Sequence, residues 1–262
     1  LGIDHQSLKK VNPKIITCSI SGFGDTEVNR PAYDNLIQGY AGAMSITGTD
    51  KENPVKSGIP IADLGAGLYA VIGILSAIQS REKNDSGEHV DISMLDTQVS
   101  LLTYMATMHF LSGENPEPIG NQHMNHVPFN SYRTSDGFIQ IGVVAEDFWP
   151  SLIEALDLRQ LDTEENKVRS GRLKNREHID QAVQEVFITN TTEHWLKILQ
   201  EHRVPCGPIN TLSETFQDAD LLKRNMIVEV LQDSGASVKM PGNPVKISNH
   251  DEEFRRSPKL GE

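Results

Sequence analysis

The spacing of apolar residues divides the first half of the chain into alternating strands and helices. An apolar run over 15–20, followed by glycines, predicts a buried strand. Helical spacing follows over 36–44, and Pro31 suits the first turn of that helix. Alternating apolar residues over 90–94 predict a second strand.

The longest apolar pattern follows Asp63. Its residues recur at helical spacing: Leu68, Val71, Ile72, Leu75 and Ile78. Further apolar residues widen this face, so we expect the helix to be buried on most sides. A second long apolar helix is predicted over 95–111, starting at Asp96 or Thr97. Strands that alternate with long helices imply a parallel sheet with crossover helices.

The pattern changes after a tract rich in Gly, Pro, Asn and His over 112–128, which predicts a linker. A hairpin is predicted to turn at 135–137. Amphipathic helices are predicted in three segments: 146–158, 175–189 and 192–202. Prolines and a glycine over 204–211 indicate a hinge, and alternation over 237–248 indicates a strand. This half predicts a separate, smaller α+β unit.

Composition narrows the class of protein. The 262 residues include 24 Lys and Arg against 36 Asp and Glu, a formal net charge of −12. This balance argues against a general nucleic-acid binder, which needs a basic face. Two cysteines, Cys18 and Cys206, cannot form a disulfide framework and suit the reducing cytoplasm. No stretch approaches the roughly 20 apolar residues of a membrane span, so no membrane partner is expected.

Three possible sites have little support. The sequence SGFGD resembles part of a dinucleotide-binding loop, but Glu27 stands where the third glycine would be. His123 and His126 have a spacing that metal sites use, yet no Cys or further His lies near them, and we expect no metal. A serine-hydrolase triad has no anchor, because G-x-S-x-G does not occur.

Asp63 is the strongest candidate for chemistry. One interpretation makes it the N-cap of the long helix, where a carboxylate satisfies backbone N–H groups. It also follows a short apolar run, and carboxylates at the carboxyl ends of strands lie where α/β sheets bind ligands. The small residues Gly65, Ala66 and Gly67 would let a substrate approach. Such a carboxylate can act as a nucleophile or as a general base, and the residues alone leave both open.

At this point several segments together show a resemblance to family III CoA-transferases, also called the CaiB/BaiF family. They occur in the family's order and include NPKIITCSISGFG, RPAYDNLIQGYAGAMSITG, SGIPIADLGAGLYAVIGILSAIQSREK, SGEHVDISMLD, VPFNSYRTSDGFIQIG and VPCGPINTLSE. The resemblance implies an α/β fold with a large Rossmann-like domain and a smaller α+β domain, in an interlocked homodimer. The implied domains are a large domain over 1–115, a linker and small domain over 116–207, and a return segment over 208–262.

The resemblance also implies a reaction. The family's catalytic aspartate corresponds to Asp63, which would form an acyl–aspartyl anhydride and then an aspartyl-CoA thioester. Coenzyme A and acyl-CoA would be substrates, with no permanently bound cofactor, and the other partners would be carboxylic acids. Small dicarboxylic acids are our preferred acceptors. The substrate and CoA contacts implied are Arg30, Tyr33, Gly65, Gly67 and His126.

Two alternatives remain open. The related α-methylacyl-CoA racemases carry a histidine where this chain has Tyr33, and a phenol is a poor proton acceptor at neutral pH. This difference favours a transferase over a racemase. The family's first Rossmann strands have no counterpart here, and we expect that the N-terminal part of the large domain is missing. The second alternative is therefore an inactive CoA-binding fragment.

Overall fold

The protein is described by a computed structural model that covers residues 2–28 and 30–262. The chain divides into two compact units between Asn125 and His126, inside the tract predicted to be a linker.

The first unit is built around two parallel strands and a long helix between them. Strand β1 (Thr17–Ser21) pairs with β2 (His89–Ser93), so that Thr17 lies opposite His89. The helices of this unit are α1 (His5–Val11), α2 (Asp34–Tyr40), α3 (Ile61–Asn84), α4 (Met94–Ser100) and α5 (Tyr104–Ser112). A short 3₁₀ helix, Ala43–Ser45, follows α2. Both predicted strands and their parallel pairing are confirmed.

Helix α3 buries the face opposite to the one predicted. Leu68 and Leu75 are 67% and 60% exposed. The buried residues are small: Ala62, Gly65, Ala66, Ala70 and Ala77. A Cβ placed on Gly73 would lie 2.6 Å from Val90 Cγ1, so the helix passes close to β2. The prediction that the large apolar face is buried was wrong, because small residues allow α3 to approach its neighbours closely.

The length and composition of α3 also contradict the expectation that no stretch approaches a membrane span. Among residues 2–28 and 30–262, α3 is the one helix that is long and apolar enough to cross a membrane, with a mean hydropathy of 1.9 over 18 residues. Core helices of soluble proteins can have the same length and composition, so this property is weak evidence for a membrane span.

The second predicted apolar helix is two helices, α4 and α5. Helix α4 begins at Met94, earlier than predicted, because the Ser93 hydroxyl accepts a hydrogen bond from Asp96 N and acts as the N-cap. The helix ends at Ser100, and α5 begins at Tyr104. Between them Thr103 has a φ of 50°, outside the helical region. Apolar spacing continues through this break, which explains why the pattern did not predict it.

The second unit contains an antiparallel sheet covered by helices. Strands β3 (Phe129–Arg133) and β4 (Phe138–Gly142) form the predicted hairpin. Strand β5 (Cys206–Pro208) pairs with β4, so the predicted hinge over 204–211 is partly a strand. The helices are α6 (Phe148–Leu156), α7 (Arg169–Lys174), α8 (Arg176–Phe187), α9 (Thr192–Glu201), α10 (Leu212–Thr215) and α11 (Ala219–Lys223), with a 3₁₀ helix at Arg159–Leu161. The three predicted amphipathic helices are confirmed.

The C-terminal part of this unit forms a second sheet. Strand β6 (Ile227–Leu231) pairs with β7 (Ser237–Pro241) in an antiparallel ladder. Strand β7 lies at the start of the alternating segment predicted over 237–248, so that strand is confirmed over its first residues.

Candidate active site

Asp63 lies in the first turn of α3 with an exposed side chain. The helix begins at Ile61, and Pro60 occupies the cap position without a side-chain hydrogen bond. The interpretation of Asp63 as the N-cap was therefore wrong. Residues 57–60 are not a strand either, so Asp63 does not lie at a strand end. Its carboxylate makes no hydrogen bond or ion pair with any described residue, and the fold leaves it available for a ligand.

The helix supplies the electrostatic environment of this carboxylate. Backbone dipoles of a helix add up to a partial positive charge at its N-terminus, and α3 has 24 residues. The effect is concentrated in the first turn, which is where Asp63 lies. A negative charge at this position is therefore stabilised.

The start of α3 is held by two side chains of α2. The carboxylate of Asp34 accepts a hydrogen bond from Ala62 N at 2.9 Å, which satisfies a backbone donor of the first turn. The same carboxylate accepts from Gln38 Nε2 at 2.7 Å, and Gln38 Oε1 accepts from Ser57 N at 2.8 Å. Neither residue was predicted to have a role at the site. The available signal was their spacing of four residues on a helix, which allows one side chain to contact the other.

Tyr33 occupies the cap position of α2 and is 68% exposed. Tyr33 is therefore not packed in the core. Pro31 lies ahead of the helix, not in its first turn as predicted, because α2 begins at Asp34.

Arg30 lies over two aromatic rings that contact each other edge to face. Its guanidinium carbon lies 4.5 Å from the ring centroid of Phe23 and 4.3 Å from that of Tyr40. Cation–π contacts of this kind stabilise the position of the charge and leave N–H groups available for a carboxylate or phosphate. Phe23 also belongs to the apolar cluster that contains Ala62 and Ala66. Arg30 is therefore connected through one ring to the helix turn that carries Asp63.

The two glycines that follow Asp63 have different environments. A Cβ on Gly65 would lie 2.9 Å from Thr97 Cγ2, so Gly65 packs against α4 and offers no room for a substrate. Gly65 therefore lacks the open space that was the reason for expecting a substrate to approach it. A Cβ on Gly67 would meet nothing within 4 Å, so Gly67 does leave open space.

This contrast predicts different effects for the same substitution. Gly67→Ala is expected to raise the free energy of unfolding by up to about 1 kcal/mol, because alanine favours the helix. Gly65→Ala should be less stable than Gly67→Ala by about 1–3 kcal/mol, because the added methyl group overpacks the contact with α4. Urea unfolding of both variants measures the difference, and equal stabilities would contradict the packing assigned to Gly65.

His126 is the first residue of the second unit and is half-buried. Its predicted contact with a substrate stays a prediction. Among residues 2–28 and 30–262, no group of three or more His, Cys, Asp and Glu side chains converges to hold a metal ion.

Comparison with known proteins identifies the family. The sequence matches the profile of CoA-transferase family III over residues 1–262. The chain belongs to this family. A succinate–glutarate CoA-transferase of Agrobacterium fabrum is 31% identical over 265 residues, which cover 100% of this chain and 66% of that protein. An acetyl-CoA:oxalate CoA-transferase of Acetobacter aceti is 31% identical, and the match covers 68% of that protein. The family III chain thus spans about two thirds of the length of these relatives.

Solved structures agree with the family. A CaiB/BaiF family protein from Brucella suis superimposes with a TM-score of 0.85 at 33% identity, over 98% of this chain and 68% of that one. A Mycobacterium tuberculosis protein superimposes with a TM-score of 0.83 at 19% identity, over 95% of this chain and 67% of that one, which shows a shared fold alone. This family III member therefore has the mixed α/β fold that the resemblance implied.

Proposed function

We propose that the protein transfers coenzyme A from an acyl-CoA to a carboxylic acid, with Asp63 as the nucleophile. One observation carries this assignment: Asp63 presents an exposed carboxylate, unpaired among the described residues, in the first turn of a long helix. Family membership supports it, because the matched relatives are named CoA-transferases.

The proposed reaction proceeds through two kinds of covalent intermediate on Asp63. The Asp63 carboxylate attacks the thioester carbonyl of the donor, the C–S bond breaks, and CoA leaves as a thiolate. This step gives a mixed anhydride between Asp63 and the donor acyl group. The thiolate then attacks the aspartyl carbonyl, which releases the donor acid as its carboxylate and leaves an aspartyl-CoA thioester.

The second half of the reaction repeats these steps with the acceptor. The acceptor carboxylate attacks the aspartyl thioester, which forms a new mixed anhydride and releases the CoA thiolate. Attack of the thiolate on the acceptor's acyl carbonyl produces the new acyl-CoA and frees the carboxylate of Asp63. No proton is consumed or released over the cycle, and no external oxidant or reductant is needed.

The substrates we propose are small dicarboxylic acids and their CoA thioesters. Matched relatives are named for succinate and glutarate, for oxalate, and, in Haloarcula marismortui, for mesaconate. The guanidinium of Arg30 lies over the rings of Phe23 and Tyr40 and makes no ion pair with a described residue, and its N–H groups suit a substrate carboxylate or a phosphate of CoA. Tyr33, exposed beside the start of α2, and Gly67, with open space beside it, complete the proposed contacts.

Racemisation is not favoured. The matched relatives are named transferases, and Tyr33 replaces the histidine base that the racemases use. The interlocked homodimer and a cytoplasmic location belong to the same proposal and follow from the family resemblance and the cysteine content.

The covalent intermediate tests this function. The complete protein is mixed with succinyl-CoA in the absence of an acceptor, quenched in acid and analysed by peptide mass spectrometry. We expect an acyl or CoA adduct on the peptide that contains Asp63, and its loss after hydroxylamine treatment. If the same preparation transfers CoA once glutarate is added, yet the peptide that contains Asp63 shows no modification before the addition, the assignment is overturned.

A further inference from the structure

We infer that Asp34 and Gln38 form a hydrogen-bonded relay that positions Asp63 for reaction. The relay joins α2 to both ends of the segment 57–62, which leads into the first turn of α3. Asp34 and Gln38 are therefore positioning residues. The inference rests on the proposed function of Asp63, and it assigns the support that this nucleophile needs.

The direction of every hydrogen bond in the relay is determined by its ends. Ser57 N and Ala62 N are backbone groups and can only donate. Gln38 must therefore present its carbonyl oxygen to Ser57, at 2.8 Å, and its amide nitrogen to Asp34, at 2.7 Å. Asp34 then accepts at both oxygens, from Gln38 and, at 2.9 Å, from Ala62. Each of these three hydrogen bonds therefore joins a donor to an acceptor.

Burial makes the relay costly to break. Gln38 is 1% exposed, so water cannot readily replace a partner that its amide loses. The segment that the relay holds has no strand or helix of its own before Ile61. Within this segment Ile61 N donates to Ile59 O, and the helix ladder starts only with the bond from Leu64 N to Pro60 O. Few backbone hydrogen bonds therefore hold the segment. The side chains of α2 therefore set where α3 begins.

The relay lies next to the reacting group. Ala62, which Asp34 holds, is the residue directly before Asp63. Ile37, between the two relay residues, packs in one apolar cluster with Ala62 and Ala66. The turn is thus held by hydrogen bonds on one side and by packing on the other. A displacement of about 1 Å at a reacting group costs on the order of 10²-fold in rate.

Donor and acceptor matching allows a sharp test with three variants. Asp34→Asn places an amide N–H against the amide N–H of Gln38, and turning Gln38 over would only move the conflict to Ser57. Gln38→Glu places two carboxylates against each other. In the double variant D34N/Q38E, the new amide at position 34 donates to the new carboxylate at position 38, which also accepts from Ser57 N. The carbonyl of that same amide accepts from Ala62 N. The complete chain of hydrogen bonds is restored with the same net charge as the wild type.

We expect each single variant to lose about 10²-fold in kcat with little change in the KM for the acyl-CoA, and the double variant to recover most of this loss. Amide hydrogen exchange of a peptide covering residues 57–64 should accelerate in both single variants and return to the wild-type rate in the double variant. Asn35→Asp is the matched control. It makes the same change from amide to carboxylate at an exposed position of α2 and should leave both readouts unchanged.

The outcomes separate the relay from the function. Unchanged exchange and activity in the single variants, or no recovery in D34N/Q38E, would overturn the relay. Faster exchange with unchanged kcat would overturn its positioning role. If amide hydrogen exchange in the variants follows the prediction but the wild-type protein transfers no CoA, only the proposed function is overturned. If Asp34→Asn does not fold, the comparison of Gln38→Glu with the double variant decides the question.

Discussion

Asp63→Asn is expected to abolish CoA transfer. The amide has nearly the shape of the carboxylate but cannot attack a thioester, so neither the anhydride nor the aspartyl-CoA thioester can form. Removal of a catalytic nucleophile lowers kcat by about 10⁴-fold or more. The fold should tolerate the change, because the side chain is exposed and has no described partner. The loss of the favourable charge in the first turn is worth at most about 1 kcal/mol at such a position.

The measurement is steady-state CoA transfer from succinyl-CoA to glutarate by the complete protein, together with the thermal unfolding midpoint. Glu193→Gln is a matched control, since Glu193 is an exposed acidic residue in the first turn of α9. We expect the control to keep wild-type activity. Normal transfer by Asp63→Asn would exclude Asp63 as the nucleophile, whatever the stability of the variant.

Arg172→Met is expected to destabilise the second unit strongly. The side chain of Arg172 is 1% exposed and donates hydrogen bonds to Val127 O, Asn166 O and Glu146 Oε2 at 2.9, 2.9 and 2.7 Å. Methionine has a similar length but cannot donate, so two buried carbonyls lose their partners. Each orphaned group costs about 1–3 kcal/mol, and we expect a total of about 2–5 kcal/mol. The carboxylate of Glu146 adds less, because 59% of its side chain is exposed and water can replace the arginine.

Urea unfolding at neutral pH measures this loss. Arg159→Met is the control, because Arg159 pairs with Asp157 on the surface, with 89% of its side chain exposed. An exposed pair of this kind contributes about 0–1 kcal/mol. A loss of stability in Arg172→Met no larger than that of the control would contradict the structural role assigned to Arg172.

The difference in stability between wild type and Arg172→Met should also depend on pH, and the pKa of Glu146 determines the sign. Partial burial acts to raise the pKa of Glu146, but the hydrogen bond and charge of Arg172 outweigh it and lower this pKa below its ordinary value of 4.5. A lowered pKa in the folded state contributes stability above the ordinary value, and this contribution is lost as the pH falls through the folded value. The difference in stability between wild type and Arg172→Met should therefore narrow in acid.

Local patterns in the sequence were sufficient for many elements. The hairpin of β3 and β4, and the helices α6, α8 and α9, lie where turn residues and amphipathic spacing predicted them. The parallel pairing of β1 with β2 also followed, since a long helix between two strands leaves few other connections. In each case the determining residues are neighbours in sequence, and their spacing is visible without the fold.

The sequence likewise predicted only part of the candidate site. Residue type and position selected Asp63, and the resemblance added Tyr33 and Arg30 from the segments that match the family. It did not indicate that Asp34 holds Ala62, a residue 28 positions away, or that Gln38 reaches Ser57. These contacts depend on how α2 meets α3. No local pattern encodes that geometry.

By itself, then, the sequence determined the family, several of the strands and helices, and the residue proposed as the nucleophile, because those depend on residue type and short-range spacing. Only the tertiary structure decided which face of α3 is buried, that Asp63 lies inside the first turn without serving as a cap, and that Gly65 packs against α4 while Gly67 stays open. The physical reason is that periodicity identifies the faces of a helix, whereas the distance to the neighbouring elements selects the face with small side chains for the interior.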